Sequence, residues 1–269
     1  MRRFRFFPLA AALSVLAPCA AHAAPQVEFQ RLTWTEIRDA LHAGYDTIIV
    51  PVGGTEQSGP YIAVGKHNVR AQALGDLIAQ ELGNALVAPV IAYVPEGSTS
   101  PRTSHMRFPG TISIPASVFT GLLKGAAESF RVQGFRLVVF IGDHGGYRRD
   151  MCRTAAELDK AWAASGAHAA CSDGYYTVVG GAYAQALRAK GLGADIGTHA
   201  DLSDTSLMLA VDPSMVRSTA LRAAVKPGVS EGVYGGDPRP ATAELGRIGI
   251  DMQVKAAVAD IRALQARGR

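Results

Sequence analysis

The sequence predicts an α/β fold built on a mostly parallel central sheet. Three observations lead there. Short runs at Thr47–Val52, 86–93 and 136–141 are apolar after the leading Thr47 and Arg136, without the alternation of a half-exposed strand. Segments of helical period separate them, and Gly- or Pro-containing loops follow each run.

The elements follow in order. Thr47–Val52 is continuous, β-branched and ended by Gly53-Gly54. Residues 68–82 have helical spacing, with Val69, Ala73, Leu77 and Ile78 on one side. Residues 86–93 read as a second strand, and a long polar loop runs from Pro95 to Pro109. Residues 115–133 form a helix with Pro near its first turn. Residues 136–141 are the third strand, 148–165 a helix ended near Gly166, and 175–179 a further strand. Residues 182–190 and 205–211 are short helices, and 242–267 is a long C-terminal helix interrupted at Gly246 and Gly249. Right-handed crossovers would place the loops after the strands along one sheet edge, where ligands bind in such folds.

The chain has 269 residues, 48% of them hydrophobic, enough for one α/β domain. Residues 1–23 have the layout of a secretory signal peptide. Arg2, Arg3 and Arg5 precede an apolar stretch, and Ala21-His22-Ala23 is a small-x-small cleavage site. The expectation is a mature single domain over 24–269, periplasmic or secreted. Losing those three arginines takes the formal charge from +4 to +1. That leaves no basic stripe for nucleic acid, and no other apolar segment is long enough to span a membrane. Cys152 and Cys171 remain, as a disulfide or as two free thiols.

Three loops carry chemistry. Glu56 and His67 end a Gly/Pro-bounded loop after the first strand. His144 lies in Gly142-Asp143-His144-Gly145-Gly146 after the third, and His199 precedes Asp204 by five residues. Glu56, His67, His144 and Asp204 together offer two carboxylates and two imidazoles, a set that suits Zn²⁺ or Mn²⁺. Each residue taken alone also has an ordinary reading, Asp204 for instance as a helix cap.

In these motifs the chain resembles the creatininase (creatinine amidohydrolase) family. The match runs through Pro51-Val52-Gly53-Gly54-Thr55-Glu56-Gln57-Ser58-Gly59-Pro60, the segment 105–113, the His144 loop, the segment 199–206, and Gly232-Val233-Tyr234-Gly235-Gly236-Asp237-Pro238 with 241–246. The resemblance implies a three-layer α/β sandwich, a homo-oligomer (a hexamer) and a binuclear metal site that hydrolyses amide C–N bonds in small molecules or a short peptide. It also implies that Glu56 and His144 are ligands, that Asp204 stands at a ligand glutamate's place, and that His199 lies over the substrate carbonyl. Three positions depart: Ser58 and Tyr61 replace histidines, and His67 replaces the aspartate that bridges two metals. A carboxylate can bridge two cations, whereas a neutral imidazole offers one lone pair.

The expectation is therefore one divalent ion, Zn²⁺ or Mn²⁺, on Glu56, His67 and His144, with the second metal site lost. Asp204 would be a fourth ligand or the general base, and His199 would protonate the leaving nitrogen or hold the oxyanion. Tyr61, His105, Gly145, Gly146 and Tyr147 would line the pocket for a small-molecule substrate. The activity read from this is an exported metal-dependent amidohydrolase acting on a small cyclic amide, formamide or short peptide. The alternatives are hydrolysis of a cyclic ketone or lactone by the same site, and a metal-free periplasmic binding protein that kept the fold.

Overall fold

The computed structural model describes residues 26–267; the segment 1–23, expected to be a signal peptide, lies outside them. Four strands form one parallel sheet in the order β2-β1-β3-β4, with β1 Thr47–Val52, β2 Ala85–Val87, β3 Leu137–Gly142 and β4 His168–Cys171. Every residue of β1, β2 and β3 is buried, which is why these runs are apolar without alternation.

Side chains alternate across the sheet and feed two cores. Ile48, Val50, Val138 and Phe140 pack with Phe119 and Leu123 of α3 (Ala116–Gln133) and with Met151 and Leu158 of α4 (Arg148–Trp162). Ile49, Val87, Val139 and Ile141 face the other way, onto Leu74 and Ile78 of α2 (Lys66–Leu82) and Val254, Ala257 and Ile261 of α9 (Ala243–Arg267). The result is the three-layer sandwich. A short helix α1 (Trp34–His42), opened by a Thr33–Glu36 capping box, precedes β1. Beyond the sheet, β5 (Gly197–His199) and β6 (Tyr234–Gly235) pair antiparallel, α7 (Leu202–Val211) follows β5, and the short α8 (Ser218–Ala223) lies between α7 and β6 in the chain.

Several elements differ from the reading of the sequence. The second strand stops at Val87, because Pro89 cannot donate to a ladder; pairing resumes as a single bridge from Ile91 to Val52. Residues 175–179 are not a strand. They lie in helix α5 (Asp173–Val178) and the π-helical turn Val179–Tyr183, which leads into helix α6 (Ala184–Ala189). Tyr175 is wholly buried there against the core shared with α9, so packing overrides its strand propensity. The fourth strand is β4, tied to α4 by the Cys152–Cys171 disulfide. On α2 the buried stripe is Arg70, Leu74 and Ile78, and Leu77 is exposed.

The C-terminal helix is uninterrupted. Gly246 and Gly249 are places of close approach to α7 and Tyr183, not breaks. A Cβ on Gly246 would overlap the Ser206 carbonyl oxygen and press on Ala210, both on α7. Gly246→Ala should therefore cost a net ~2 kcal/mol, although alanine is the better helix former by about 1 kcal/mol. Chemical denaturation reads this directly; a variant as stable as the parent would contradict the close packing of α7 on α9.

Candidate metal centre

Four side chains converge at the C-terminal edge of the sheet. Glu56 comes from the turn after β1, Glu96 from the segment that continues β2, His105 from the 3-10 turn Ser104–Arg107, and His144 from the loop after β3. One donor atom from each lies within 4.8 Å of the others. Glu56 Oε2 is 3.2 Å from His105 Nε2 and 3.4 Å from His144 Nδ1, and Glu96 Oε2 is 3.2 Å from His144 Nε2. His144 turns Nδ1 to Glu56 and Nε2 to Glu96, and only one of the two can bind a given ion; four donor atoms within 4.8 Å form a loose shell, wider than the about 3.3 Å between donors on a tetrahedral ion, that bonds of about 2.0–2.1 Å would draw in.

On the side away from Lys66 and His67 the shell's carboxylate oxygens have no hydrogen-bond partner. Glu56 Oε2 and both carboxylate oxygens of Glu96 are buried and accept no hydrogen bond. Leaving such atoms unpaired is costly, and a divalent cation would take one oxygen from each carboxylate. Burial and the adjacent Glu56 carboxylate raise Glu96 to about 9. Burial lowers His105 despite the pull of Glu56, which keeps a lone pair on the ring. Two carboxylates and two imidazoles fit Zn²⁺ or Mn²⁺.

Beside this shell lies a buried ion network carried by the first turn of α2. Lys66 Nζ is 2.8 Å from Asp204 Oδ2 and 3.5 Å from Glu56 Oε1. Arg70 Nε donates to Asp143 Oδ2 at 2.8 Å, and its Nη1 reaches Asp204 Oδ1 at 3.2 Å. His67 spans Asp143 Oδ2 at 2.6 Å and Glu56 Oε1 at 2.7 Å. Burial opposes the charge on Glu56, yet His67 and Lys66 hold its carboxyl well below the usual carboxylate range. Burial likewise opposes Asp204, and Lys66 and Arg70 hold it well below its ordinary value. His67 is raised: burial and Lys66 work against this, but Glu56 and Asp143 prevail.

Of the ligands read from the sequence, Glu56 and His144 belong to the converging group, and His67 and Asp204 do not. His67 directs both ring nitrogens at carboxylates, and an imidazolium so engaged has no lone pair for a metal. Asp204 is taken up by Lys66, Arg70 and the Ala200 amide, at 2.9 Å for the last. The cap of α7 is Asp201. His105, read as a pocket wall, stands in the shell itself. Glu96 went unread, although it follows a strand just as Glu56 and His144 do.

A cavity of about 560 Å³ opens beside the shell, lined by His105, His144, Gly145, Gly146, His199 and Tyr234 among others. Gly146 lies against its neighbour's ring: a Cβ there would meet His144 Nε2 at 2.5 Å. Tyr147 and Tyr61 are not part of the cavity wall. Tyr147 is wholly buried, and its hydroxyl accepts from the Asp143 and His144 amides while pointing its proton at the Val52 and Gly53 carbonyls (2.5 and 2.7 Å). It thus pins the end of β1 to the His144 loop. Tyr61 packs on the small core of Ile62, Val216 and Met208.

His199 is lowered to about 3 by burial and by Lys66, so it is neutral. Its Nε2 donates to the Gln57 carbonyl oxygen at 2.8 Å, leaving Nδ1 as an acceptor 3.5 Å from Glu56 Oε1. It therefore does not stand ready as an acid. Tyr234, beside the His199 ring, has a buried hydroxyl with no hydrogen-bond partner.

The chain matches a family model described as "Creatininase: Creatinine amidohydrolase" over residues 30–261. It is 30% identical over 225 residues to a mycofactocin precursor peptide peptidase of Mycobacterium tuberculosis, covering 75% of this chain and 78% of that one. A protein of the same description from Mycolicibacterium smegmatis is 33% identical over 111 residues, so the aligned part spans 42% of that relative and 39% of this chain. The fold is similar to a crystal structure of creatinine amidohydrolase, with a TM-score of 0.72, 23% identity, and coverage of 88% of this chain and 96% of that one.

Two outcomes follow for the shell. Because Glu96 holds its proton up to about 9 without an ion, metal binding at pH 7 should release about one proton, and affinity should climb about tenfold per pH unit until pH 9. Calorimetric titration in buffers of different ionisation heat measures this, and binding without proton release would contradict it. His144→Ala should weaken binding at least ~100-fold, as removing a ligand costs no less than removing its support.

Proposed function

The chain belongs to the creatininase family, and we propose that it is a metal-dependent hydrolase of amide C–N bonds whose substrates are short peptides or comparably small amides. The observation that carries this reading is the Glu56–Glu96–His105–His144 shell, with its unpaired carboxylate oxygens, whose two histidines line a cavity of about 560 Å³. That volume lies within the usual range for small-ligand sites. The relationship to the Mycobacterium tuberculosis peptide peptidase supports short peptides over cyclic amides.

These four residues would hold a divalent ion, which would supply Lewis-acid polarisation of the substrate carbonyl and a more acidic water. The remaining work falls to the chain. Glu96 has two unpartnered oxygens, so one is free to take the proton of the attacking water and return it to the leaving nitrogen. Its carboxyl is also the shell group whose affinity for a proton is raised. The unpaired Tyr234 hydroxyl donates to the carbonyl oxygen as negative charge develops there. His199, neutral and fixed by the Gln57 carbonyl, presents Nδ1 as an acceptor that orients the water or the substrate N–H. Asp204 and Glu56, held as stable anions by Lys66 and His67, are poor bases and serve to position.

The reading extends to location: the layout of residues 1–23 and the Cys152–Cys171 disulfide support export to an oxidising compartment.

Against a panel of formamides, cyclic amides and di- to tetrapeptides, the metal-loaded protein should hydrolyse peptides most efficiently, and chelation should abolish turnover. A rate unchanged after complete metal removal would discard the reading. Tyr234→Phe should lower kcat about 100-fold with little change in KM. Glu96→Gln, which keeps one ligand oxygen, should lower kcat by about 10²–10⁴ even at saturating metal.

A further inference from the structure

We infer that Lys66 is a resident cation: its ammonium fills a second cation position that shares Glu56 with the four-residue shell, and it thereby sets the centre to one divalent ion per chain. This rests on reading that shell as a metal centre.

The Glu56 carboxylate has two differently occupied sides. Oε2 faces His105 and His144 and accepts no hydrogen bond. Oε1 faces Lys66 Nζ at 3.5 Å, His67 Nε2 at 2.7 Å and His199 Nδ1 at 3.5 Å. Beyond the ammonium stands a second carboxylate, Asp204, with Oδ2 2.8 Å from Nζ. Nζ thus lies between two carboxylates, as an ion in the shell next to it would. The difference is that here the chain supplies the positive charge.

Lys66 is wholly buried, a condition lysine tolerates only when paired. It reaches this place because the first turn of α2 enters the centre, with Lys66, His67 and Arg70 all buried and Arg70 closing the far side through Asp143 and Asp204. A small neutral residue at 66 would leave Glu56 Oε1 and Asp204 Oδ2 facing an empty cation-sized space.

Ion counting tests this. Metal-stripped protein is reconstituted with Mn²⁺, desalted, and its metal-to-chain ratio measured by elemental analysis. The wild type should retain one equivalent and Lys66→Ala two. Lys66→Met, neutral but bulky, and Lys66→Arg, still charged, should each retain one. Adding Asp204→Ala to Lys66→Ala should return the ratio to one. Two equivalents in the wild type, or one in folded Lys66→Ala, would overturn the inference while leaving the hydrolase reading intact. No ion in any of them would overturn both. If Lys66→Ala folds only with Mn²⁺, as circular dichroism reports, and then holds two equivalents, the inference stands. If it stays unfolded with Mn²⁺ while Lys66→Met folds, the inference fails.

Discussion

The two oxygens of the Glu56 carboxylate organise the site. One is saturated by the chain's own cations, Lys66 and His67, and the other is buried without a donor. An ionised carboxylate is expensive to bury, and the fold meets that cost on one side only. The unmet side, joined by a second carboxylate with no partners of its own, defines where a cation belongs. The surrounding arrangement follows from this asymmetry. His105 and His144 are turned to the open side, and the charged first turn of α2 is turned to the closed one.

Holding such a cluster requires a rigid edge, and the parallel sheet supplies it. Strands β1 and β3 end side by side, pairing from Thr47 with Leu137 to Val52 with Gly142. The Tyr147 hydroxyl then ties the carbonyls at the end of β1 to the amides of the His144 loop. One buried phenol fixes the relative position of the segments that bring in Glu56 and His144. On the other face, α7 and α9 approach closely enough to need Gly246, and α7 brings Asp204 to Lys66 and Arg70. The residues that shape the site are thus anchored to the sheet or to a helix pair, consistent with chemistry that needs fixed donors.

The layered fold was legible because buried parallel strands leave an unmistakable trace, solid apolar runs such as Thr47–Val52. Less of the site was legible, for physical reasons. Lys66 and Arg70 lie on the buried face of α2, so the hydrophobic phase pointed to Val69, Ala73, Leu77 and Ile78, of which Ile78 is buried and Leu77 is exposed. His67 looks like a ligand in sequence because its type fits, but only the fold shows both its nitrogens engaged by Glu56 and Asp143. Tyr147, beside a glycine pair, reads as a pocket wall until its ring is seen in the core. Tyr175 and its neighbours have strand-forming side chains and fold as helix because of what they pack against. Glu96 had a readable cue, a carboxylate following an apolar run.

The most direct measurement is the anomalous diffraction of crystals grown with Mn²⁺. A single peak within bonding distance of Glu56, Glu96, His105 and His144, with the Lys66 ammonium still between Glu56 and Asp204, is the predicted result. A peak coordinated by His67 and Asp204, with Lys66 displaced, would contradict it, as would crystals without any bound ion at this edge of the sheet.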